Sequence, residues 1–278
     1  MTPRDLIRNT ADVFRRAGIP DPEYDSAMLL SSLTGRSSLP LRMDTDTVLD
    51  EDTIARFQAL CSRRIGREPL QYILSDAYFC GFRFHVDHRV LIPRPETELL
   101  CEWALEKMSG FTHPKGLDLC CGSGCIGITL KLRMPLSFIL ASDLSGDALD
   151  VAKLNASRLG ADVSFIRSDL FSALPDESFD LIISNPPYIP SAECRNLQPE
   201  VMSEPLSALD GGDDGLAFYR QICRESPRHL RNGGFLLMEL GDGESESVIR
   251  MMREAGFSEI EMKNDYQSLP RMICGKMT

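Results

Sequence analysis

The apolar run "FDLII" leads into "ISNPPYIP", residues 183–190, an abrupt change of residue type at what reads as the end of a buried strand. Proline removes a ladder donor and so marks the end of a central strand, and each proline drives the residue before it out of the helical region. The exit is therefore stiff and extended. It holds the Asn185 side chain, the Pro186 carbonyl and the Tyr188 ring at a sheet edge, with Pro187 fixing the backbone between them, and something is positioned there. A second constellation lies upstream in "LDLCCGSGCIGI", residues 117–128, where a strand runs through Cys120, Cys121, Gly122, Ser123 and Gly124 into a helix. Glycines there let the backbone approach a ligand closely, and Asp143 ends the next strand about 20 residues on, suited to pairing with a ribose diol. Through Gly127 the loop also satisfies G-x-G-x-x-G, so on this loop alone a nicotinamide or flavin nucleotide stays open. "RSDLF" puts Asp169 and Leu170 at a third strand end, where a side-chain acceptor and a backbone donor can read the adenine edge. A helix cap is the plain alternative for that pair.

These residues need a frame that brings strand ends together. Five segments, "GLDLC", "SFILASD", "VSFIRSD", "FDLIISN" and "FLLMEL", are separated mostly by helical stretches, which predicts a parallel, doubly wound α/β sheet. "GFSEIEMKND" and "RMICGK" add two strands. After "PRPETE", Leu99, Leu100, Trp103 and Met108 make a helical face. Residues 1–75 read as short helices: Thr2, Pro3 and Asp5 form a capped start with Gly18 as its stop, Asp21 and Pro22 open a second helix that Gly35 closes, and Ile54, Phe57, Leu60, Cys61 and Ile65 share a face on a third. Phe82, Phe84 and Val86 then alternate, Asp87 and His88 suit a turn, and "RVLI" returns, so residues 76–93 are expected as a β-hairpin linker. The expected domains are a helical domain over 1–75, that linker, and the sheet domain over 94–278. "LDGGDDGL" reads as a plain loop.

At 278 residues with 43% apolar content the chain supports a packed core. Its first residues, "MTPRDLIRNTADVFRRAG", carry charge throughout, and no long apolar run occurs, so a soluble, cytoplasmic protein with no membrane partner is expected. Nine cysteines, an odd number without C-x-x-C spacing, read as reduced thiols, and "HVDH" as a turn, so no metal is expected. The net charge of −11 repels a phosphate backbone, which argues against direct nucleic-acid binding.

Three features favour S-adenosylmethionine over a dinucleotide: the glycine loop lies behind a helical domain, Asp118 precedes it with the D-x-x-x-G-x-G spacing of a methyltransferase loop, and "NPPY" follows the fourth strand. "REPLQYIL", "VLIPRPETE", "DLCCGSG", "NPPYIP", "EPLSALDGGDDGLAFYR" and "GGFLLMELG" occur in the order found in the PrmC or HemK family, which methylates a glutamine of bacterial peptide chain release factors, and nearly the whole chain resembles that family. The resemblance implies a class I S-adenosylmethionine-dependent methyltransferase, Rossmann-like, with a mostly parallel seven-stranded sheet and a small N-terminal helical domain that grips the release factor while the sheet domain receives its Gly-Gly-Gln loop. It implies a cofactor site of Asp118, Cys120, Cys121, Gly122, Ser123, Gly124, Asp143, Asp169, Leu170 and Asn185, and a catalytic and substrate site of Asn185, Pro186, Pro187 and Tyr188. In that role the Asn185 oxygen and the Pro186 carbonyl accept from the two N–H groups of an amide on which Tyr188 packs. The resemblance also places Arg94 and Glu96 of "IPRPETE" beside the site. The chain departs from the family pattern where Ser75 and Cys120 replace common glycines, where "DYQSLPR" lacks one, and where "ELGDGESES" lacks a glutamine. Two other readings stand beside this one, an adenine-specific DNA or RNA amino-methyltransferase and a non-catalytic cofactor-binding interaction protein.

Overall fold

The structure is a computed structural model that describes residues 1–278. The chain forms two compact units, Met1–Ser75 together with Gln198–Ser203, and Asp76–Leu197 together with Glu204–Thr278.

The first unit holds five helices: α1 (Pro3–Arg16), α2 (Pro22–Thr34), α3 (Ser38–Met43), α4 (Glu51–Ile65) and α5 (Leu70–Leu74). The Thr2 hydroxyl accepts from the Asp5 N–H, and Asp50 caps α4 in the same way by accepting from the Thr53 N–H. Phe14, Leu29, Leu30, Leu41 and Phe57 are fully buried in the unit's own core. Arg64, only 4% exposed, donates to Asp25 at 2.7 Å and to Glu200 at 2.9 Å, and Arg67 grips the same Glu200 with two hydrogen bonds of 2.7 Å. A buried guanidinium needs such partners. This explains why a short segment distant in sequence belongs with the helices.

The second unit begins with a two-stranded hairpin, β1 (Ala77–Phe79) and β2 (Phe82–Phe84). The expected hairpin has a different turn: it lies at Cys80 and Gly81, both at positive φ (50° and 83°), and "RVLI" forms no strand. Asp87 instead folds the chain locally by accepting from the Arg89 backbone and guanidinium. Nor do residues 76–93 stand apart as a linker, because Phe79 and Phe84 meet edge to face at 6.1 Å and are buried with the core of this unit.

Next come α6 (Pro95–Met108), β3 (Lys115–Leu119), α7 (Cys125–Arg133), β4 (Phe138–Asp143), α8 (Gly146–Leu159), β5 (Ser164–Arg167), β6 (Phe179–Ser184), α9 (Ala217–Glu225), β7 (Leu230–Glu239), α10 (Ser245–Glu254), β8 (Phe257–Asn264) and β9 (Pro270–Met277). The seven strands lie in the order β5-β4-β3-β6-β7-β9-β8, parallel except for β9, which runs antiparallel to both its neighbours. Alternating side chains of β6 serve opposite faces: Leu181 and Ile183 pack in one core layer with Leu100, Trp103 and Ile128, and Ile182 in the other with Tyr219, Ile222 and Met252. The sheet thus carries helices on both faces, as the strand-helix alternation predicts. The strand order reverses between β3 and β6, and the C-terminal ends of β5, β4, β3 and β6 stand side by side around that point, the place where open α/β sheets bind ligands.

Candidate active site

The glycine loop follows β3 and turns sharply because Cys120, Gly122 and Gly124 all take positive φ, at 59°, 51° and 77°. Cys121 donates its N–H to the Ser142 carbonyl at 3.0 Å, and Gly124 donates to Cys121 at 2.8 Å. The two glycines have different tasks. A Cβ on Gly124 would stand 2.9 Å from Ile128 and 3.1 Å from Ala152, so this glycine lets α7 and α8 close together, whereas a Cβ on Gly122 would meet no protein atom within 4 Å. Open space at Gly122 is where a ligand can approach backbone.

Carboxylates frame that space. Asp118, 1% exposed, accepts from the Gly127 N–H at 2.8 Å through Oδ2, while its Oδ1 is buried with no partner. Burial pushes its pKa up to about 7, against the Gly127 hydrogen bond and helped by nearby Asp143. An unpartnered buried carboxylate oxygen suits a cationic ligand group such as an ammonium. Asp143 accepts from Gly122 N–H and Ser145 N–H, each at 2.9 Å, so it shapes the loop as well as facing the crevice. Ser123 gives its carbonyl to Asn155 at 3.0 Å, and Asn155 also bonds both backbone groups of His85, a tie that the sequence reading did not anticipate. Cys120, Cys121 and Cys125 have their thiols pushed up by burial, which keeps them protonated lining groups. At the end of β5 it is Ser168 that caps the turn, accepting from the Ala173 N–H at 3.0 Å. Asp169 is thereby left exposed, and Leu170 sits buried at a φ of 45°. The cap alternative for Asp169 is therefore superseded. The strand ends thus carry a buried carboxylate oxygen without a partner, a glycine backbone with open space beside it and further acidic groups, a set of the kind that a nucleoside with a cationic tail would use.

Every residue of β6 is buried, and Ser184 is anchored by donating to the Leu119 carbonyl at 2.9 Å. Asn185 follows. Its Nδ2 donates to the Thr97 hydroxyl at 3.1 Å, Thr97 donates to Glu239 Oε2 at 2.6 Å, and Tyr188 donates to Glu239 Oε1 at 3.3 Å. Pro186 and Pro187 are buried between them. Burial raises Glu239, 1% exposed, to about 7, opposed by the Thr97 hydrogen bond, Arg271 and the Tyr188 hydrogen bond. The segment "LDGGDDGL", expected as a plain loop, braces this exit. Ile189 donates to Leu209 at 2.9 Å and accepts from Gly211 at 2.8 Å, and a Cβ on Gly211 would lie 2.7 Å from the Tyr188 Cα. A Cβ on Gly215 would be as tight, 2.5 Å from the Tyr188 carbonyl oxygen. Glycine is required there because two backbones touch. Beside Tyr188 opens a cavity of about 440 Å³ whose lining includes Glu193, Asp214, Glu244 and Arg271.

Of the "IPRPETE" residues, Arg94 pairs with Glu204, which also accepts from the Ile92 N–H at 3.1 Å, and its charge acts on Tyr188, which places it beside the site as expected. Glu96 is half-buried and acts on Glu239 only through its charge. Thr97 and Glu239 are the site residues that sequence reasoning missed. A signal existed for Glu239, a lone carboxylate in the otherwise apolar "FLLMEL".

Two family models match the chain, the PrmC N-terminal domain over residues 5–74 and the methyltransferase small domain over residues 96–211. A release factor glutamine methyltransferase of Geobacter sulfurreducens is 39% identical over 99% of this chain and 97% of its own length. One of Chlorobaculum tepidum is 40% identical over 96% and 94%. Among solved structures, the hMettl16 catalytic domain in complex with MAT2A 3′UTR hairpin 1 superposes with a TM-score of 0.60 at 16% identity, covering 91% of each chain, which is a likeness of fold.

Proposed function

This chain belongs to the release factor glutamine methyltransferase family, and we propose that it methylates the side-chain amide of the glutamine in the Gly-Gly-Gln loop of bacterial peptide chain release factors. S-adenosylmethionine supplies an electrophilic methyl group on a sulphonium, to be held by Asp118, the open backbone at Gly122, Asp143, and Asp169 with Leu170. The chain's own task is to present the acceptor. An amide nitrogen is a poor nucleophile because its lone pair is delocalised into the carbonyl. Two acceptors on its N–H groups orient the lone pair toward the methyl carbon and favour the positive charge that develops on nitrogen. Transfer held in this way would form the N–C bond as the S–C bond breaks, leaving a neutral thioether, and the amide nitrogen would then lose one proton to water. No general base is needed before transfer.

The observation that carries this reading is the polarity of Asn185. Its Nδ2 is committed to Thr97, which leaves Oδ1 as an acceptor next to the Pro186 carbonyl, and proline has no N–H to compete there. Tyr188 packs on the flat face of the amide. The release factors are the protein partner, and the helical unit serves their recruitment. The test is incubation of the protein with labelled S-adenosylmethionine and a bacterial extract, followed by peptide mapping. Label on the Gly-Gly-Gln glutamine of a release factor supports the reading. Label on nucleic acid, or transfer to no release factor, refutes it.

A further inference from the structure

We propose that Glu239 is the positioning residue that decides which end of the Asn185 amide faces the reacting nitrogen, and that it does so through the Thr97 hydroxyl. The inference deepens the reading of Asn185 given above and rests on it for its catalytic consequence.

It follows from counting protons. A threonine hydroxyl has one proton to give, and an ionised carboxylate can only accept. The 2.6 Å separation between Thr97 Oγ1 and Glu239 Oε2 commits that proton to Glu239, a charge-assisted bond stronger than the neutral alternatives. The Thr97 oxygen is then left as an acceptor, so Asn185 must turn its Nδ2 toward it, as the 3.1 Å contact records. Oδ1 is thereby directed away from Thr97, free to accept from substrate. Tyr188 donates to the second carboxylate oxygen. One buried carboxylate therefore fixes both the amide and the ring of "NPPY" from behind.

The same logic runs backwards when Glu239 takes up a proton. Its hydroxyl can donate to Thr97, which releases the Thr97 proton toward Asn185, and an amide turned over is then equally well bonded. The turned amide presents N–H to an N–H, and the site loses its acceptor. The groups around Glu239 are Thr97 and Glu96 from α6, Tyr188 from the loop after β6, Arg271 from β9, and Tyr219 from α9, whose hydroxyl donates to the Glu239 backbone carbonyl at 2.9 Å. Burial raises Glu239, Arg271 and the two hydrogen bonds lower it, and Glu96 raises it, with the balance at about 7. The carboxylate, and with it the productive amide, is present above that pH and lost as pH falls below it.

The test uses the full-length protein. Single-turnover kcat and KM for a release factor are measured from pH 5.5 to 9 for wild type, Thr97→Val, Thr97→Ser and Glu239→Gln, with cofactor affinity by calorimetry alongside. Thr97→Val, isosteric but without the proton, should cut kcat by ~10- to 100-fold, the usual cost of losing an outer partner that orients a working group, with cofactor affinity intact, and Thr97→Ser should restore it. Wild type should lose rate as pH falls through about 7, levelling off at a lower plateau where both amide orientations are populated. Glu239→Gln should remove the step that Glu239 causes, because glutamine has no proton to gain or lose in this range. Thr97→Val within threefold of wild type, or the step unchanged in Glu239→Gln, overturns the proposal. A second arm does not depend on activity. In 15N-asparagine-labelled protein the Asn185 side-chain signals should titrate with a midpoint near pH 7 in wild type and not in Glu239→Gln; no titration in wild type also overturns it. If wild type transfers no methyl to a release factor, the functional reading fails, and this second arm still decides the role of Glu239.

Discussion

An amide nitrogen reacts only when its lone pair is aimed, and the orientation of Asn185, which we propose does the aiming, is held by residues that the sequence keeps far away. Thr97 and Glu239 lie 142 positions apart and meet only in the folded sheet, so no local pattern could pair them, whereas "NPPY" is legible because its stiffness is local. Gly122 was legible for the same reason. Because a Cβ there meets no protein atom but the backbone stands at φ 51°, Gly122→Val should fold at a cost of at least ~1–2 kcal/mol while blocking the close approach of cofactor to backbone. Calorimetry should show binding abolished, and unchanged affinity in the folded variant would place the cofactor elsewhere. The positions where this chain lacks a family glycine also have a physical signature. Ser75, Cys120 and Ser268 of "DYQSLPR" all stand at positive φ, at 56°, 59° and 65°. A non-glycine residue there carries ~1–2 kcal/mol of strain, offset in part by the extra chain entropy glycine loses on folding, ~0.5–1 kcal/mol. Ser75→Gly and Ser268→Gly, both exposed sites, should therefore each stabilise the fold by up to ~1 kcal/mol, read as a higher urea midpoint. A lower midpoint would mean that the serine side chains contribute more than the strain removes. Cys120 is a poorer test, since its side chain also packs against the core.

Among elements, the parallel strands were legible because each is a short apolar run ended by a polar or turn residue. The hairpin was half legible. Phe82 and Phe84 belong to it, but the partner strand precedes them, at Ala77–Phe79, and alternation alone does not say on which side a strand finds its mate. "LDGGDDGL" looked featureless because its glycines answer to the backbone of Tyr188, a contact made only after folding. The segment around Glu200 was illegible for a related reason, since its partners Arg64 and Arg67 are more than 130 residues away. Burial works against the Glu200 carboxylate, yet the hydrogen bonds from Arg67 and Arg64 outweigh it and hold its pKa at about 2. That pKa lies below the ordinary value, so the pair adds stability at neutral pH and loses it as pH falls from about 4.5 to about 2. Glu200→Ala should cost about 3 kcal/mol at pH 7, a gap that closes toward pH 2 in urea titrations. A gap independent of pH would remove the charge pair as its cause.

At the scale of the molecule, charge separates the readings. The net charge of −11 is concentrated outside the helical domain: residues 1–75 hold 10 basic and 11 acidic residues, net −1, and the other 203 hold 20 and 30, net −10. A net charge this acidic works against binding a phosphate backbone, so retention of duplex DNA at ~150 mM salt is expected to be negligible. Micromolar binding at that salt would revive the nucleic-acid reading. The central claim is that this chain moves a methyl group onto a release factor glutamine gripped by Asn185. Single-turnover methylation of an intact release factor by wild type and Asn185→Ala, with cofactor affinity measured on both, tests it most directly. Asn185→Ala should lose ~10²- to 10³-fold in rate with little change in cofactor affinity, and an Asn185→Ala enzyme within about threefold of wild type would rule out this role for Asn185, far short of what a preorganised catalytic hydrogen bond contributes.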